Sequence, residues 1–178
     1  SDVYKRQMFA TPSLSSPRLN IETFKLQDCP DIYPCITSSL TQFMSWEPAK
    51  SFAEFESIGK SWIHAQTQGT DQHFVLRDKS SQKFIGLIGI HRIHTQTPEF
   101  GLWISEDEHA KGYAKEALKS IYDWAVLNFE ADYFVYPVAE QNYASRKLAE
   151  GFGGSISHIK QQPKYLQITY DIPAKLKI

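Results

Sequence analysis

Residues 99–118 read EFGLWISEDEHAKGYAKEAL, and this stretch decides the fold. Residues 99–105 carry aromatic and β-branched side chains and return after a turn, so they read as a strand. The polar loop EDEHAK follows, and a helix opens at Gly112-Tyr113-Ala114. Ala114, Ala117, Leu118, Ile121, Trp124 and Ala125 recur at helical spacing, which predicts a helix over residues 112–129 with one apolar face. Amides at a helix N-terminus lack intrahelical acceptors and sit at the positive end of the helix dipole. The junction is therefore either a phosphate cradle or an ordinary corner with glycine at the bend.

The neighbouring segments extend the pattern. Residues 83–93 (KFIGLIGIHRI) form a β-rich run, and after the HTQTP turn residues 99–105 return as its antiparallel partner. Upstream, residues 18–26 read as a strand, and Asp28 with Pro30 opens a helix to about Leu40. Ser51 and Glu54 form a capping box for a helix that runs to Gln68 and ends at Gly69. Residues 73–77 are a short strand. Downstream, residues 133–138 (YFVYPV) read as a buried central strand, with Pro137 marking where its pairing ends or splays. Asn142 caps a helix stopped by Gly153 and Gly154, and residues 155–160 and 165–172 supply two last strands. The order β-α-α-β-β-β-α-β-α-β-β predicts an α/β (α+β) mixed sheet flanked by helices, in one domain over residues 17–178. Residues 1–16 are expected to be disordered or foreign to the fold: SDVYKRQ reads as appended, Met8 as the start, and the Ser/Pro-rich stretch to Pro17 as loose.

A chain of 178 residues suits one domain with a core of its own. Lys and Arg number 19 against 20 Asp and Glu, so no basic excess is present to grip a phosphate backbone, and nucleic acid is not an expected partner. No apolar run reaches the roughly 18 residues of a membrane span, and no signal-peptide core follows the start. A cytoplasmic protein without membrane contact is expected. Cys29 and Cys35 then read as two reduced thiols. His91 and His94 lie an odd number of residues apart on a strand, hence on opposite faces, and no metal site is expected from them.

Taken together, these residues resemble the GNAT superfamily of acyl-CoA N-acetyltransferases, in particular the branch that acetylates ribosomal-protein N-termini. His109-Ala110-Lys111-Gly112-Tyr113-Ala114 is similar to the pyrophosphate loop Arg/Gln-x-x-Gly-x-Gly/Ala, with His at the first position. Glu99-Phe100-Gly101-Leu102-Trp103-Ile104 is similar to the branch's Glu-Ile-Gly-Tyr-Trp-Leu strand, and Asn142-x-x-Ser145 to its Asn-x-x-Ser helix start. Two further positions depart from the pattern. The family's Gly-Phe stands here as Gly153-Gly154, and Ala149 occupies the place of the Tyr general acid of many members.

The resemblance implies a GNAT-like, mostly antiparallel twisted sheet and acetyl-CoA as co-substrate, with no metal. It implies that pantetheine lies along Trp103, Ile104 and Ser105 as an added strand would. His109, Ala110, Lys111, Gly112, Tyr113 and Ala114 would hold the pyrophosphate, Asn142 the pantetheine, and Lys147 a coenzyme phosphate. Ser145 would sit near the thioester sulfur. Glu99, sharing a strand face with Gly101 and Trp103, would accept the proton of the acceptor ammonium, directly or through water. Trp46 and Glu47 would wall the acceptor pocket. The implied reaction moves an acetyl group to a primary amine, with protein or peptide N-termini as one acceptor class. The alternative is a non-catalytic coenzyme A sensor or regulatory module. Either would be a monomer or a homodimer.

Overall fold

The computed structural model describes residues 12–175; the readings of SDVYKRQ and Met8 fall outside them. Eight strands form one sheet: β1 (Ser13–Ser15), β2 (Leu19–Thr23), β3 (Gln72–Asp78), β4 (Phe84–His91), β5 (Glu99–Ile104), β6 (Tyr133–Ala139), β7 (Ser155–Gln161) and β8 (Leu166–Pro173). Their spatial order is β1-β2-β3-β4-β5-β6-β8-β7. Every pairing is antiparallel except that of β5 with β6. That parallel contact is confined to Glu99 opposite Val135, after which the two strands diverge. Pro137 does mark this opening, but only on the β5 side, because β6 stays paired with β8 through Ala139.

Alternation along the strands builds two cores. On one face, Ile88, Ile90, Phe74 and Phe100 pack under α4 (Tyr113–Asn128) and α5 (Tyr143–Gly151). Ala117, Leu118, Ile121 and Ala125 of α4 are fully buried there, so the predicted apolar stripe is the packed one. On the other face, Val75, Leu87 and Trp103 pack against Phe55 of α3 (Phe52–Gln68) and against the segment that follows β2. Each buried Ile, Leu or Phe contributes roughly 1.5–3 kcal/mol by leaving water. Ser51 Oγ accepts the Glu54 amide at 3.1 Å, and Gly69 closes α3 in the left-handed region at φ 74°. The reciprocal half of the capping box differs: Glu54 reaches the amide of Lys50, at 3.2 Å.

Two expectations need correction. The stretch before Pro17 is not wholly loose, because Leu14 pairs with Ile21 and the sheet begins at Ser13. The helix expected from Asp28 to Leu40 is broken into α1 (Cys29–Ile32), two 3-10 turns (Leu26–Asp28 and Tyr33–Cys35) and α2 (Ser38–Thr41). Pro34 removes an amide the helix would need, Ile36 is extended, and Thr37 Oγ1 caps the new start at the Leu40 amide, 3.1 Å away. Gly154, an apparent departure, has a packing reason: a Cβ there would lie 2.7 Å from the Ala149 carbonyl oxygen.

Candidate active site

The opening between β5 and β6 continues into a cleft of about 1630 Å³ that runs across the sheet edge to α3 and the loop before it. Ser105 N donates to Ile85 O at 2.8 Å, which fixes the hydrogen-bonding phase of β5 against β4. In an antiparallel ladder the phase alternates, so Gly101 and Trp103 spend their main-chain groups on β4, as Ser105 does its amide, while Leu102 and Ile104 turn theirs toward the opening. The strand-like groove predicted from sequence is present. Its free groups are those of Leu102 and the Ile104 amide, because the His109 ring occupies the Ile104 carbonyl; they do not come from Trp103 and Ser105. Trp103 contributes its side chain to the cleft wall, and Ser105 does not line the cleft.

At the α4 N-terminus Gly112 has φ +82° and Ala110 φ +62°. A non-glycine residue in this region is strained, and such strain gathers at binding loops. The first donation into the helix runs from Glu116 N to Gly112 O, so the Tyr113 and Ala114 amides precede the hydrogen-bonded ladder. A Cβ on Gly112 would meet only the Arg18 guanidinium, at 3.5 Å, so the backbone there is open to an anion. Arg18 lies over the Tyr113 ring at 4.2 Å and is ion-paired with Glu116 at 2.8 Å. These features fit a pyrophosphate. His109 Nε2 is 2.7 Å from Ile104 O, which braces the loop against the end of β5. Lys111 departs from its expected role: its ammonium turns to buried Glu108, at 2.9 Å, and does not line the cleft. Lys83 and Lys111 together hold the Glu108 carboxyl below the usual carboxylate range.

On the far wall, Asn142 Oδ1 accepts the Ser145 amide at 3.3 Å, so Asn142 is the helix cap and its amide nitrogen takes no part in the cap. Asn142, Ser145 and Lys147 all line the cleft. The Ser145 side chain neighbours the phenol of Tyr136, a buried residue of β6. Burial pushes the Tyr136 phenol up to about 12, so it remains a proton donor at neutral pH. Ala149, in contrast, is fully buried and faces the core. Tyr136 was legible in the sequence only as one apolar residue of the YFVYPV run.

The remaining wall carries Trp46, Glu47, Glu99, Trp103, Trp62, His73 and His91. Lys164 clamps the loop of Trp46 and Glu47 by donating to Thr41 O at 2.7 Å and Trp46 O at 3.1 Å, and by pairing with Glu47 at 2.8 Å. Glu99 lies 3.4 Å from Arg92. His94 lies beyond the end of β4 and shares no face with His91. Among the described residues no three His, Cys, Asp or Glu side chains gather as metal ligands, and no helix is long and apolar enough to cross a membrane.

Residues 18–155 match the family model of the acetyltransferase (GNAT) domain. No curated protein matches the chain. Among solved structures, a RimL ribosomal L7/L12 alpha-N-protein acetyltransferase superimposes with a TM-score of 0.79 at 13% identity, covering 92% of this chain and 94% of the other. The same enzyme in complex with coenzyme A gives 0.79 at 15% identity, covering 90% and 96%. Spermidine N-acetyltransferase from Vibrio cholerae, in complex with coenzyme A and spermine, gives 0.75 at 20% identity, covering 88% and 96%. At such identities the likeness shows the fold, and the family match covers most of the chain. The chain belongs to the GNAT acetyltransferase family, the enzymes that move an acetyl group from acetyl-CoA to an amine.

Proposed function

We propose that this protein acetylates the primary amine of a peptide N-terminus or of a small polyamine-like acceptor. The observation that carries the reading is the single cleft joining the α4 amides, the open edge of β5 and an aromatic wall. The amides of Tyr113 and Ala114, with Gly112 open beneath them, bind the pyrophosphate, and the main-chain groups of Leu102, the Ile104 N–H and the Asn142 side-chain amide align the pantetheine. Lys147 supplies a cation for a coenzyme phosphate. When bound, the thioester supplies an activated acetyl carbonyl. Ser145, backed by the Tyr136 phenol, faces the sulfur side and donates as the thiolate leaves; this pair takes the place of a Tyr at position 149. Trp46 and Trp62 pack on the acceptor's apolar body, and Glu99 meets its positive charge.

A likeness to enzymes whose printed acceptors are a ribosomal-protein N-terminus and spermidine supports both acceptor classes. The net charge of −1 argues against direct nucleic-acid contact, and the proposal places the enzyme in the cytoplasm as a monomer or homodimer. The test is incubation with acetyl-CoA and a panel of N-terminal peptides and polyamines, read by thiol release. Stoichiometric acetylation of one class supports the reading; coenzyme binding without turnover on any amine supports the regulatory module.

A further inference from the structure

Two residues of the acceptor wall, His73 and His91, have no role in the reading above, and Asp71 stands behind them against His91. Asp71 Oδ2 lies 2.7 Å from His91 Nδ1. A carboxylate only accepts, so Nδ1 carries the hydrogen, and the neutral ring keeps its lone pair on Nε2. That nitrogen faces the cleft across two strand glycines. A Cβ on Gly89 would lie 3.2 Å from it, and a Cβ on Gly101 3.5 Å. With both absent, the space beside Nε2 stays open. His73 closes the other side, stacked on Trp62 at 4.3 Å and tilted against His91 at 5.5 Å. Burial, with His91 beside it, pushes His73 down to about 3, so it places no second charge there.

Glu99 is the cross-strand partner of His91, so both side chains leave the same face of the sheet. The two are differently equipped. Glu99 already faces the Arg92 guanidinium, as an anchor for cations would. His91 is an oriented imidazole, and imidazole is the side chain that takes up and releases protons near neutral pH.

We propose that His91, oriented by Asp71, accepts the proton of the acceptor ammonium, and that Glu99 holds the acceptor's charge on arrival. This rests on the acetyl-transfer reading above. The ammonium gives one proton to His91 Nε2 and becomes a neutral amine. Its lone pair forms the new N–C bond, the C–S bond breaks, Ser145 gives its hydroxyl proton to the leaving sulfur, and the second amine proton restores that hydroxyl. His91 then releases its proton to solvent. The sum is ammonium plus thioester giving amide, free thiol and one proton. Asp71 is a positioning residue: it fixes the tautomer and supports the imidazolium. The charged and titratable groups facing His91 are Asp71 from the turn before β3, His73 from β3, Glu99 from β5 and neighbouring Arg92.

The experiment uses the full chain with acetyl-CoA and three probe amines: a short peptide with a free N-terminal serine, spermidine and benzylamine. Thiol release is followed from pH 6 to pH 10, and coenzyme A binding is measured separately. His91→Gln is expected to lower kcat by about 10²–10⁴-fold at neutral pH, the usual contribution of a general base, with coenzyme A affinity unchanged and the deficit shrinking at high pH. Asp71→Asn is expected to lower kcat with acceptor KM and coenzyme A affinity unchanged, because an amide can donate to Nδ1 and turn the Nε2 lone pair into an N–H. Glu99→Gln is expected to raise the acceptor KM more than it lowers kcat. A folded His91→Gln variant with kcat within threefold of wild type overturns the proposal, as does a large kcat loss found in Glu99→Gln instead. Wild-type protein that binds coenzyme A but acetylates none of the probes fails the acetyl-transfer reading itself, and the proposal with it.

Discussion

Gly112→Val places a β-branched side chain where the backbone is left-handed, at φ +82°. The left-handed region costs a non-glycine residue roughly 1–2 kcal/mol. Against a total stability of about 5–15 kcal/mol, the variant folds. Space is not the obstacle to folding, since the nearest atom to an added Cβ is the Arg18 guanidinium at 3.5 Å. Binding suffers more. The side chain stands in front of the Tyr113 and Ala114 amides, and a hydrogen bond to a charged acceptor contributes roughly 1.5–3 kcal/mol. Losing one such bond weakens coenzyme A by roughly 10- to 150-fold. Calorimetric titration of wild type, Gly112→Ala and Gly112→Val measures this, with circular dichroism to confirm folding. The Ala variant carries the backbone strain with little bulk, so it should fall between the other two. A folded Val variant with Kd within twofold of wild type would place the pyrophosphate elsewhere.

Three further outcomes follow from the same geometry. Tyr136→Phe removes only a hydroxyl, so kcat should fall roughly tenfold, in line with one lost hydrogen bond, while coenzyme A affinity holds; Ser145→Ala should match it, and the double variant should be no worse than either, as expected for a coupled pair. Lys164→Met releases the loop of Trp46 and Glu47, so limited proteolysis between residues 42 and 50 should quicken and the acceptor KM should rise, with coenzyme binding unmoved. His73 is held neutral down to about pH 3 in the fold, whereas an unfolded histidine protonates near 6.5. The unfolded state therefore binds the extra proton below pH 6.5, and stability falls by up to about 1.4 kcal/mol per pH unit on the way down to pH 3. His73→Phe keeps a ring against Trp62 and should flatten the acid side of the melting profile; equal slopes for the two proteins would contradict the burial argument.

Most of the sheet was legible because period-two alternation and turn chemistry are local signals. The run at residues 83–93 and the return at 99–105 pair as their pattern implies, and the α4 face was readable from Ala117 to Ala125. The broken helix after β2 was missed because Asp28 and Pro30 are sound start signals, and the disruption comes from Pro34 and the second cap at Thr37. Within the site, the loop at His109–Ala114 and the Asn142 cap were visible as motifs. Which main-chain groups of β5 are free was not, because ladder phase is set by the β4 partner and flips with every residue. The Asp71–His91 pair joins residues 20 apart through β3 and β4, and Tyr136 meets Ser145 across two elements. Such contacts exist only after the sheet has formed. Lys111 looked like an anion ligand from its place in the loop, but buried Glu108 claims its ammonium.

The central claim is that one cleft binds acetyl-CoA and an amine together and moves the acetyl group between them. Its most direct measurement follows free thiol and acetylated amine in the same reaction, by absorbance and by mass spectrometry, over the peptide and polyamine panel. One thiol is expected per amine acetylated, with the acetyl group on a primary amine and the rate lost when Gly112→Val replaces wild type. Coenzyme A that binds tightly while no amine in the panel gains an acetyl group would contradict it.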